Sequence, residues 1–140
     1  MRSKDYKSNL GETNMLRKIL IFIPMLFGLL MGSLAFLSPD IIGAILGVSA
    51  DTPAGRGAIS GDLGAIFLTG GGAAALALFK GHSRLLLIPI SLFGLTIIGR
   101  LLEGLSSGLG EGAMQPIIVE FILLMMLVGA FKLSKTETPA

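Results

Sequence analysis

Residues 19–37 carry no charged side chain, and no other feature restricts the possible folds of this chain so strongly. At 1.5 Å per residue such a run crosses a hydrocarbon core of about 30 Å as a helix. In lipid the backbone must satisfy its own hydrogen bonds, which leaves helices or closed barrels. Three further apolar stretches of spanning length follow, at residues 58–79, 85–105 and 116–133, with few ionisable residues in each. Four such runs occupy more than half of 140 residues that are 52% hydrophobic, 14% charged and of mean hydropathy +0.82. A soluble domain carries roughly a quarter charged residues, and one of this length could not hide so much apolar surface. The expected fold class is therefore all-α, an integral membrane four-helix bundle.

The segments between the runs set the domain plan. Residues 1–15 are polar and lack apolar periodicity, which predicts a disordered or interfacial tail; residues 16–134 form the transmembrane domain, and residues 135–140 a second polar tail. Pro39 and Asp40 close the first helix. A cleaved signal peptide is the rival reading of residues 19–37, but its apolar core would be unusually long and no clean small-x-small cleavage site follows before Pro39. Within residues 38–57, the stretch 41–48 is too short to cross and too apolar for an ordinary loop, so a short interfacial segment is expected between helices 1 and 2. Pro116 suits the first turn of the fourth helix.

Lysine and arginine fix the expected orientation. Arg2, Lys4, Lys7, Arg17, Lys18, Lys80, Arg84, Lys132 and Lys135 fall on one side of a four-span layout, and the opposite loops hold only Arg56. Both termini are thus expected on the cytoplasmic side. Basic residues gathered at span ends, rather than along one polar face, argue against nucleic acid as a partner.

Only a few residues could carry chemistry. Asp62, Arg100 and Glu120 each lie four or five residues inside the expected outer end of helices 2, 3 and 4, a depth of roughly 6–8 Å. Glu103 follows Arg100 by one turn. Intramembrane charges cost about 2.5–3.5 kcal/mol at mid-depth and normally face a partner or trapped water. Two readings follow. In the first, Arg100, Asp62, Glu120 and Glu103 line a polar pocket that takes a lipid headgroup or a small molecule. In the second, Arg100 is a hub whose five donors fasten helices 2, 3 and 4, and the protein is a structural or accessory subunit of a membrane complex. Gly28 and Gly32 have GxxxG spacing, expected to serve internal packing, with a homo-oligomer face as the alternative. Pro24 and Pro89 are expected to kink their helices.

Other chemistry is poorly provided for. The chain has no cysteine, one histidine (His82, in a basic turn) and no cluster with metal-ligand spacing. The run Gly70, Gly71, Gly72 lacks the lysine and hydroxyl residue of a phosphate loop. With no nucleophile–base–acid set, no metal and no cofactor motif, a non-enzymatic protein is expected; an enzyme acting on lipid or quinone is the weakest alternative.

With these polar positions in view, the chain resembles a bacterial family of small four-helix membrane proteins catalogued as domain of unknown function 4345. The likeness covers about residues 19–133. It rests on Ser60, Gly61, Asp62, Leu63 and Gly64 opening helix 2, on Gly99, Arg100 and Leu101, on Glu111 and Gly112, and on Glu120. It implies a four-helix protein of a bacterial inner membrane. That family has no assigned activity, so the resemblance leaves function open; the layout is also similar to DoxX-like four-helix proteins at the level of fold.

Overall fold

The computed structural model describes residues 2–108, 110, 112 and 114–136, and among them every regular element is helical. Helix α1 (Arg2–Leu37) is followed by the short α2 (Pro39–Leu46) and α3 (Pro53–Ala58). A π-helical turn (Ile59–Leu63) joins α3 to α4 (Gly64–Lys80), a 3-10 turn (Ser83–Leu86) leads into α5 (Leu87–Ser107), and α6 (Met114–Thr136) completes the chain. Four helical stretches, Gly11–Leu37, Pro53–Lys80, Ser83–Ser107 and Met114–Ser134, are long and apolar enough to cross a membrane.

Local chemistry sets the boundaries. Pro39 has no backbone N–H to continue α1 and instead occupies the first turn of α2. Thr52 caps α3, its Oγ1 accepting from the Gly55 amide at 3.0 Å, with Pro53 next in line. Gly81 ends α4 in the left-handed conformation (φ 73°), which a β-carbon would strain. Towards the other terminus nothing stops α1: no proline precedes Pro24, and residues 2–14, expected as an irregular or interfacial tail, continue the helix. α1 also runs unbroken through Pro24, while Pro89 stands in the first turn of α5, where its missing N–H costs little.

The helices form a ring in which α1 lies against α4 and α6, and α5 against α4 and α6. Buried positions on α1 (Ile21, Met25, Gly28, Gly32, Ala35) alternate by four and three, a seam that faces one neighbour along its length. That neighbour is α4, in antiparallel register. A β-carbon on Gly28 would stand 3.0 Å from Gly71 Cα, one on Gly32 2.6 Å from the Leu68 side chain, and one on Gly64 2.8 Å from the Phe36 ring. The GxxxG pair is therefore spent inside the bundle, as expected of internal packing, and is not an outward dimer face. Two clusters flank the midpoint of this seam. Ile21, Met25, Ala74, Ala77, Leu86, Phe93, Leu123, Leu127 and Ala130 pack on one side, and Met31, Ala35, Ile42 and Ile59 on the other.

The two ends differ. Arg17 Nη2 donates to Ser83 Oγ at 3.2 Å, which brings the start of the apolar part of α1 to the α4–α5 turn. Lys18, Lys80, Arg84 and Lys132 are exposed at this same basic end. At the far end α2 lies across the bundle without crossing it, burying Ile42 and Gly43 while Ile41, Ile45 and Val48 stay exposed. This is the short segment expected between the first two spans. Arg56 of α3, the lone basic residue expected at that end, pairs with Asp40 of α2.

Candidate functional site

Glu120 heads the buried stripe of α6, ahead of Leu123, Leu127 and Ala130 at helical spacing, and so takes a core register position. Its side chain is only 8% exposed. On α5 the positions Pro89, Leu92, Phe93, Thr96 and Arg100 form one face, and Arg100 reaches from it to α6. Its Nε donates to both carboxylate oxygens of Glu120, each at 3.2 Å. Neither Nη group has a partner among the described residues.

Arg100 also borders a cavity. A slot of about 90 Å³ runs between α1, α4 and α5, lined by Pro24, Gly28, Gly70, Gly71, Pro89 and Phe93 in its apolar depth and by Thr96, Arg100 and Glu120 at its polar mouth. From Pro89 to Arg100 is eleven residues of α5, so the slot is about 16 Å long. It exists because small residues and prolines leave it unfilled. Gly70 faces Pro89 and Leu92, while the next residue, Gly71, meets the α1 backbone. A second cavity of about 160 Å³ lies towards α2 and the start of α6, with Phe27, Met31, Gln115 and Pro116 in its walls. Leu46, Phe67 and Glu120 border both cavities.

Of the four residues expected to meet, two do. Arg100 and Glu120 are paired, whereas Asp62 is exposed on the π-helical turn and Glu103 is exposed one turn past Arg100, and neither makes an ion pair among the described residues. Among the described residues Arg100 is hydrogen-bonded from α5 to α6 alone and not to α4, so the expected three-helix hub is a two-helix pair. Glu111, part of the expected acid–glycine motif, lies outside the described residues. Missed by sequence reasoning were Thr96, one turn before Arg100 and so on its face, and Leu46, which reaches the site from the short helix α2. No group of three potential metal-ligating side chains occurs among the described residues, and His82 is exposed at the opposite end.

Chemically, the mouth offers up to four uncommitted N–H donors on a guanidinium whose charge is balanced by a neighbouring carboxylate. Such a group holds a hydrogen-bond acceptor in bidentate fashion without demanding a full negative charge. The depth offers only apolar contact. Comparison with known protein families, with curated proteins and with solved structures returns no match to the chain.

Proposed function

We propose that this is a multi-pass protein of a bacterial inner membrane, non-enzymatic, which holds a small amphipathic molecule or lipid inside its bundle. One observation carries the reading: among the described residues Arg100 bonds Glu120 through Nε alone, and both residues line a narrow apolar slot. A purely structural arginine in a membrane would spend its donors on protein. A cavity of 150 Å³ is about what accommodates benzene, so at 90 Å³ the slot suits one thin chain rather than a ring system. The acceptor head of that chain, a carbonyl, carboxylate or phosphate ester, would sit on Arg100.

The orientation belongs to the same proposal. Arg17, Lys18, Lys80, Arg84 and Lys132 share one end, and the lysine and arginine bias of short loops assigns that end, with both termini, to the cytoplasm. The slot then opens towards the outer leaflet. Membership of the family catalogued as domain of unknown function 4345 is proposed on the motifs quoted above.

Native mass spectrometry of the purified chain in a neutral detergent tests the ligand. The wild type is expected to retain an adduct of lipid or small-molecule mass that Arg100→Gln loses while Asp62→Asn keeps it. A wild type that carries no adduct, from membranes or after incubation with a lipid extract, would sink the ligand-binding reading and leave Arg100 as a clasp between two helices.

A further inference from the structure

The basic end holds a second cleft, independent of the Arg100 slot. The turn that follows α4 is anchored by Leu86, which is fully buried, and is tied to α1 through Arg17 and Ser83. Between this turn and the last turns of α6 lies a cavity of about 660 Å³, with Arg84, His82, Ser83 and Ser134 on its walls and Leu87 and Phe131 in its apolar part. Its size falls within the roughly 300–1,000 Å³ of ordinary small-molecule sites and is far more than an inorganic ion needs.

Charge at this end is mostly positive, with Glu12 exposed on α1 five residues before Arg17. Residues 13–39, 63–102 and 121–136 contain no Asp or Glu. Lys18, Lys80, Arg84 and Lys132 are all exposed and make no ion pair among the described residues. Cations that outnumber the nearby carboxylates call for counter-charge from outside the chain. Cations beside an apolar wall at a membrane boundary meet that need in acidic lipids.

We infer that this cleft is a binding site for an acidic phospholipid, with its phosphate ester at Arg84 and the Ser83 hydroxyl nearby, and its acyl chains leaving over Leu87 and Phe131. Free phosphate shares the head chemistry but makes no use of the apolar part. Arg84 is exposed, so replacing it leaves the core intact.

Native mass spectrometry of the full chain, incubated with equal amounts of phosphatidylglycerol and phosphatidylcholine, reads the preference directly. Wild type is expected to retain phosphatidylglycerol at least several-fold over phosphatidylcholine. Arg84→Gln should reduce that ratio about five-fold, the equivalent of the roughly 1 kcal/mol one cation contributes beside an anionic surface. Arg84→Lys should recover most of it, and Arg56→Gln at the opposite end should leave it unchanged. Equal retention of the two lipids, or an unchanged ratio in Arg84→Gln, overturns the proposal. So does displacement of phosphatidylglycerol by millimolar inorganic phosphate, which would make the cleft a plain anion site.

Discussion

Gly71→Ala and Gly72→Ala add the same methyl group to adjacent residues of α4, and the packing gives them opposite outcomes. A β-carbon at Gly71 would lie 2.7 Å from the Leu29 amide nitrogen and 3.0 Å from the Gly28 carbonyl carbon, both backbone atoms of α1 that cannot swing aside. Restoring an ordinary contact of at least 3.4 Å requires the two helices to part locally by about 0.7 Å. Overpacking of that kind costs about 1–3 kcal/mol. At Gly72 nothing lies within 4 Å of the new carbon, and replacing glycine by alanine inside a helix gains up to about 1 kcal/mol. The propensity gain is common to both positions, so the variants should differ by about 1–3 kcal/mol, with Gly71→Ala the weaker protein. Unfolding in mixed micelles, followed by far-ultraviolet circular dichroism as the fraction of sodium dodecyl sulfate rises, measures the difference. Equal losses in both variants, or a stable Gly71→Ala protein, would refute the close approach of α1 and α4 and return Gly28 and Gly32 to the surface.

Further outcomes follow from the site. In a double-mutant cycle, Arg100→Ala and Glu120→Ala should show a coupling of about 1–2 kcal/mol in the same assay, the upper range for hydrogen-bonded pairs within membranes; additive losses would argue against the pair. Asp62→Asn and Glu103→Gln, at exposed positions without partners, should each change stability by no more than about 0.5 kcal/mol, and a larger loss from either would restore it to the cluster. Because the chain has no cysteine, single introduced thiols report orientation without background. Ser49→Cys should react with a membrane-impermeant maleimide in intact cells and His82→Cys only after lysis, and the reverse pattern would invert the topology.

Four apolar runs, the short α2 and the segregation of basic residues were all legible because they depend on composition along the chain. The site was legible only by half, and the missing half is angular. Depth follows from 1.5 Å per residue, and by depth Asp62, Arg100 and Glu120 form one layer. Azimuth follows from 3.6 residues per turn. Nine positions separate Asp62 from Gly71, which is about 180° round the helix, so the acid points away from the face that α1 covers. Glu120, by contrast, shares a stripe with Leu123 and Leu127, and Arg100 shares one with Thr96 and Phe93. The same arithmetic identifies both members of the pair and excludes Asp62, but it needs the inward face of each helix, which the glycine contacts reveal and apolar content does not. Leu46 was beyond reach for another reason: it enters the site from a helix that does not cross, and nothing local to it signals where that helix will lie.

The glycine contacts also determine how the slot can change shape. At Gly28 and Gly71 the nearest neighbours across the α1–α4 seam are main-chain atoms that a β-carbon would overlap, so that part of the wall has no side chain to reorient. Opposite it, α5 presents Leu92, Phe93 and Thr96, all able to turn about their bonds, and a single ion pair holds α5 to α6 at the mouth. The bundle is thus a hinge case with one stiff board and one yielding one. A spin label or fluorophore on α5 or α6 would register an occupant entering and leaving, and the same reporter on α4 would stay silent.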